Sequence, residues 1–260
     1  MKYKLSIISL LLISALLLVG CRGSAGVSRD SEAHSTEQDV EALGTAIAGE
    51  TPDMGEEYVD SFIFFGESTT YHLKNRGVLK GGKNTCQVWA PEGGTVNLDT
   101  TTASLKIVYP ETGEIIGLGE ALRRSAPQRI LLTFGLNGAV EKVKRGEDYF
   151  RACYLALINT VRENSPETKI ILQSCFPISS TMDMTNYSVD TFTLNGYIDL
   201  INGWTLSLAE DEGIYYLNSA SVMKDDRGFL LPQFDSGDGH HLTREAYLTI
   251  LEYLRTHAVS

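Results

Sequence analysis

Basic charge is scarce in this chain. Its 260 residues carry 33 aspartates and glutamates against 22 lysines and arginines, a formal net charge of −11. That deficit excludes a general nucleic-acid binder, which needs a cationic face to displace counterions from phosphate. Cysteines number only 4, and none has the paired spacing of a zinc site. No internal repeat is present, so a stacked-repeat architecture is excluded. Long apolar runs are lacking too, with one exception at the N-terminus.

That exception follows a short basic start, Met1-Lys2-Tyr3-Lys4. Residues 5–19 are almost wholly apolar and lead into Leu18-Val19-Gly20-Cys21. A charged start, a short apolar stretch and a small-residue end form a secretory signal. The segment resembles the lipobox of bacterial lipoproteins, whose cysteine becomes the lipidated first residue. A plain transmembrane anchor is the alternative, but the apolar stretch is short for a span and ends in Gly-Cys. The expectation is a signal peptide over 1–21 and an exported protein held at the bacterial membrane surface by acyl chains on Cys21. Residues 22–57 are polar, acidic and rich in small side chains, which reads as a flexible tether with a weak helical patch at 40–47. Residues 58–260 then form one domain. Lipidation leaves Cys86, Cys153 and Cys175, an odd number. Cys153 and Cys175 lie in apolar periodic segments and read as buried thiols.

Within the domain, strands alternate with helices. Apolar runs predict strands at 62–65, 87–90, 129–134, 169–173 and 214–217, and a hairpin at 105–109 and 114–116. Helices are predicted at 69–78, 119–125, 147–164, 189–212 and 243–257, the fourth with Phe192, Leu200, Trp204 and Leu208 near its inner side. Such alternation implies an α/β fold: a three-layer α/β/α, doubly wound, mostly parallel sheet that binds ligands beyond its C-terminal strand edge. Ser68, Gly93 with Gly94, and Asn137 all follow predicted strands and so share that edge.

A serine at a strand-to-helix turn presents its hydroxyl among unpaired helix N–H groups, a fit place for a nucleophile. Ser68, after Phe64-Phe65-Gly66-Glu67, is such a residue. A base is needed, and the chain has five histidines. His34 falls in the tether, His72 lies on the helix after Ser68 with its side chain expected to point along it, and His257 is near the end. Asp238-Gly239-His240-His241 stands directly before the last helix. There a glycine turn can bring Asp238 back to Nδ1 of His241, leaving Nε2 for the Ser68 proton. A surface turn with a capping aspartate is the ordinary alternative, and a His-His metal pair a third, without further ligands nearby. Oxyanion donors are available from an N–H in Gly93-Gly94 and from the Asn137 amide. The stretch 117–122 echoes a dinucleotide loop but lacks its third glycine. Tyr71, Trp89, Tyr187 and Trp204 are candidate glycan-stacking aromatics, though such residues more often serve core or rim packing.

Taken in order, Gly66-Glu67-Ser68, Gly93 or Gly94, Gly135-Leu136-Asn137 and Asp238-Gly239-His240-His241-Leu242-Thr243 resemble the blocks of the SGNH (GDSL-like) hydrolase superfamily, in its bacterial exported members. The resemblance implies Ser68 as nucleophile and first oxyanion donor, with Gly93 and Asn137 completing the oxyanion hole. It also implies His241 as base and Asp238 as its orienting carboxylate. Gly93 is preferred to Gly94 because it stands two before Thr95. No cofactor or metal is implied. The substrate would be an ester or acylated cell-envelope glycan, with acyl transfer to a sugar hydroxyl as a close relative. Two departures stand out: Glu67 where the family usually has Asp, and Gly138 where Asp often follows Asn. They motivate a second reading, a non-catalytic glycan-binding lipoprotein on the same fold.

Overall fold

The computed structural model describes residues 46–259. Cys21, His34 and the patch at 40–45 lie outside them. Five strands form one all-parallel sheet: β1 (Phe62–Gly66), β2 (Val88–Trp89), β5 (Arg129–Thr133), β6 (Lys169–Gln173) and β7 (Tyr215–Leu217). Their order is β2-β1-β5-β6-β7. The chain thus starts in the middle, steps one way to β2, then crosses back past β1 to β5. That reversal is the switch point of a doubly wound sheet, where the crevice beyond the strand ends opens between β1's two neighbours. A two-stranded antiparallel ribbon, β3 (Lys106–Val108) with β4 (Ile115–Gly117), stands apart and is the predicted hairpin.

Side-chain alternation along these strands sorts the apolar residues into two cores, one per face. Phe65, Leu132 and Leu172 join the core under α3 (Leu118–Ser125), α5 (Glu147–Asn164) and α6 (Thr191–Glu212). Phe62, Phe64, Leu131 and Ile171 join the core under α1 (Gly55–Asp60), α2 (Ser68–Arg76) and α7 (Arg244–Thr256). The expected three-layer α/β/α architecture is present. Among the described residues no helix is long and apolar enough to cross a membrane.

Three expectations need correction. The ordered domain reaches further back than residue 58: the Ala48 N–H donates to the Tyr216 carbonyl (2.8 Å) and the Tyr216 N–H to the Ala46 carbonyl (2.8 Å). Ile47 thus bridges the edge strand β7 in parallel, and α1 follows. Second, α6 buries Leu194, Ile198, Ile201, Thr205 and Leu208, whereas Phe192 and Leu200 are 73% and 44% exposed. Of the four residues expected inside, Leu208 is buried and Trp204 packs against the core, while Phe192 and Leu200 face outward, because a helix this apolar offers more than one stripe. Third, a short helix absent from the sequence reading, α4 (Ala139–Arg145), begins directly after the Asn137 loop. Its three lysines and arginines make it look like a loop.

Candidate active site

Ser68 is the first residue of α2, one step beyond the end of β1. Gly66 makes the turn possible. A Cβ there would stand 2.4 Å from both the Thr133 carbonyl and the Thr70 hydroxyl. Only glycine lets β1 run that close to β5. Thr70 and Tyr71 donate their N–H groups back to the Glu67 carbonyl. The Ser68 N–H has no acceptor among the described residues, as expected for a first-turn donor.

The turn bearing His241 is built independently. The Asp235 carboxylate accepts the N–H groups of Gly237 (2.8 Å) and Gly239 (2.9 Å). Gly239 has φ of 88° and lies against Met182, which leaves no room for a Cβ. Two long-range bonds join this turn and its helix to the nucleophile. Arg76 Nε donates to the Leu242 carbonyl (3.1 Å), and the Tyr247 hydroxyl to the Thr69 carbonyl (2.6 Å).

The result is a hydrogen-bonded chain. His241 Nε2 stands 3.1 Å from Ser68 Oγ, and His241 Nδ1 stands 2.7 Å from Asp238 Oδ2. Asp238 Oδ1 also accepts the N–H groups of His240 (3.1 Å) and His241 (2.8 Å). Partial burial alone would raise this carboxyl. The N–H and ring of His241 and the N–H of His240 outweigh it and hold Asp238 far below the usual carboxylate range. Asp238 is therefore ionised at any ordinary pH and keeps Nδ1 of His241 protonated and Nε2 free.

The Gly94 N–H is engaged by the Pro91 carbonyl (2.9 Å), while the Gly93 N–H meets no acceptor among the described residues. A Cβ on Gly94 would run into the Tyr71 ring. Asn137 Nδ2 contacts Thr95 Oγ1 (3.3 Å) and the Val96 carbonyl (3.5 Å), tying its loop to the Gly93 loop. A cavity of about 290 Å³ opens between Asn137 and His240, floored by Leu136, Ala139 and Leu194 and rimmed by Tyr187.

The two departures from the expected blocks have a visible purpose. Glu67 is only 2% exposed, and its two oxygens accept the N–H groups of Gly135 and Asn137, both at 2.9 Å. Burial raises its carboxyl. The Lys142 ammonium and the N–H groups of Gly135, Asn137 and Leu136 pull the other way. Lys142, 5% exposed, reaches back from α4 to the Asn137 carbonyl. Gly138 has φ of 69° as the residue before α4, with room beside it for the Lys142 ammonium. Glu67 and Lys142 thus hold Asn137 at its N–H and at its carbonyl.

His72 is the residue the sequence reading misplaced. Its ring stacks on that of His241, centroids 4.5 Å apart and 20° from parallel. Burial lowers its affinity for a proton. His241, Arg76 and His240 lower it further, against a smaller opposing pull from Asp238. Unfolded, His72 would titrate near 6.5. Its stabilising contribution is therefore present above that value and lost as pH falls through the lower folded one. His72→Phe keeps a flat ring without the charge. Urea unfolding at about pH 7.5 and about pH 5 is expected to show a smaller acid-side loss in the variant than in wild type.

A doubly wound α/β/α domain with a Ser–His–Asp chain at its switch point defines the class of SGNH hydrolases. Residues 64–248 match the GDSL-like Lipase/Acylhydrolase family, and the chain belongs to it. Among solved structures, a protein of Streptococcus pneumonia provisionally described as a platelet activating factor superposes with a TM-score of 0.53 at 18% identity, over 85% of this chain and 98% of that one. A GDSL-like lipase of Bacteroides thetaiotaomicron gives 0.48 at 18% identity, over 74% and 84%. The periplasmic domain of a Salmonella ser. Paratyphi A lipopolysaccharide acetyltransferase gives 0.47 at 15%, over 86% and 95%. The first supports the fold; the other two are too distant to bear on function. No curated protein matches by sequence.

Proposed function

We propose that the protein is a serine ester hydrolase that removes acyl or acetyl groups through an acyl-enzyme on Ser68. The observation that carries this reading is the Ser68 Oγ–His241 Nε2–Asp238 chain, with spacings of 3.1 and 2.7 Å. Nε2 of His241 takes the Ser68 proton as Oγ attacks the ester carbonyl. The developing oxyanion receives the Ser68 and Gly93 N–H groups and the Asn137 amide, which turns from Thr95 to meet it. The imidazolium, held by ionised Asp238, returns its proton to the leaving alcohol. Water then repeats the sequence to free the acid.

The cavity beside Asn137 and His240 gives the ester a place to lie. The proposed substrates are small esters and acylated cell-envelope glycans. The latter accord with a chain exported and lipid-anchored at Cys21, a placement that rests on residues 1–21 alone. Fluorophosphonate should attach covalently at Ser68, and short-chain p-nitrophenyl esters should turn over. Purified wall material should release acetate. A folded protein that neither labels nor turns over any acyl chain length would refute the hydrolase reading and leave glycan binding to be screened.

A further inference from the structure

Asp238, His240 and His241 do more than complete a proton path. Their three donor atoms lie within 4.8 Å of one another. Two donors about 2.1 Å from one zinc ion at the tetrahedral angle stand about 3.4 Å apart. Asp238 faces each histidine with one oxygen: Oδ2 lies 2.7 Å from His241 Nδ1 and Oδ1 3.6 Å from His240 Nδ1, near enough for small side-chain shifts to reach that figure. Both histidines are half-buried and Asp238 is exposed, so solvent reaches the cluster and can fill the remaining positions. Two imidazoles and a carboxylate suit a divalent transition cation rather than a hard one such as magnesium. The metal pair considered from sequence lacked a third ligand, and the turn supplies it in Asp238.

We infer that this turn is an inhibitory zinc-class site: a divalent transition cation bound by Asp238, His240 and His241 switches off the base. The chemistry follows from the tautomer. At rest, Nδ1 of His241 carries the proton and donates it to Asp238, and Nε2 accepts. A metal ligand must offer a lone pair, so coordination at Nδ1 expels that proton and Nε2 takes one up. The ring's proton has moved from Nδ1 to Nε2. Nε2–H now donates toward Ser68 Oγ and cannot accept from it. The same ion removes Asp238 from its partner. Coordination requires the His240 and His241 rings, whose centroids are 4.0 Å apart, to splay modestly.

The inference extends the proposed hydrolysis to its regulation, but its binding step can be read without any turnover. Calorimetric titration of the protein with zinc chloride should show one ion per chain. In the ester assay, zinc should inhibit, a chelator should restore the rate, and magnesium should have no effect. His240→Gln, compared with its own zinc-free rate, should need at least about tenfold more zinc for the same inhibition. Equal zinc sensitivity in His240→Gln, equal inhibition by magnesium, or no heat of zinc binding would each overturn the site. Absence of ester turnover with zinc still bound at one per chain would count against the hydrolase reading alone.

Discussion

Ser68→Ala should lower kcat for p-nitrophenyl acetate about ten-thousandfold or more and abolish fluorophosphonate labelling, with the thermal midpoint little changed. Among the described residues, it is the Ser68 hydroxyl that stands against a base, 3.1 Å from His241 Nε2. His241 and the oxyanion donors have nothing to activate without it, so the residual rate is that of general-base attack by water. Ser68 is half-buried at a helix start and its Oγ has one partner, His241 Nε2. Removing a hydroxyl whose remaining partner can turn to water costs little in folding. A variant that folds, melts normally and still hydrolyses at near wild-type rate would remove Ser68 from the chemistry.

Glu67→Ala should fail differently, in stability and rate together. The substitution leaves the N–H groups of Gly135 and Asn137 without acceptors and the Lys142 ammonium without its nearby opposite charge. Leaving buried N–H donors without an acceptor costs about 1–3 kcal/mol each. The Asn137 loop loses the grip that aims its amide, and a misplacement of about 1 Å is worth on the order of a hundredfold in kcat. Glu67→Asp retains the charge but is one methylene short. It should recover much of the stability while leaving kcat depressed, since the carboxylate cannot hold both N–H groups at once. Denaturant melts and kcat measured on all three proteins decide this. If Glu67→Ala melts as wild type does, the carboxylate is not the brace described here.

Much of the site was legible because its parts sit at strand ends. Apolar runs mark buried parallel strands clearly, and the residue that follows each is then placed on one sheet edge without knowledge of packing. That reasoning located Ser68, the Gly93 loop and Asn137, while the Asp238–His241 turn was placed by its position before the last helix; the structure joins Ser68, His241 and Asp238 in one hydrogen-bonded chain. It could not tell Gly93 from Gly94, because the choice depends on which N–H the Pro91 carbonyl engages. Nor could it see that Glu67 and Gly138 act as one device with Lys142, since that contact joins a strand end to a helix read as loop. His72 shows the same limit. Helical spacing fixes the direction of a side chain, but its neighbour comes from a turn far along the chain. At the N-terminal side, residues 46–57 looked like tether because a single bridge on an edge strand leaves almost no periodic signal.

That bridge matters for how the protein behaves in bulk solution. An open parallel sheet ends in two strands whose outward amide and carbonyl groups invite another chain. Here Ala46–Ala48 satisfies part of β7, and on the opposite border Val108 of the ribbon donates to Ala90, beside β2. Each border is closed by a strip of only a few residues. A recombinant chain begun at Tyr58 keeps Ser68, Asp238 and His241 yet bares β7, and it should self-associate more readily than one that includes the bridge. A chain begun at or before Ala46 retains the seal.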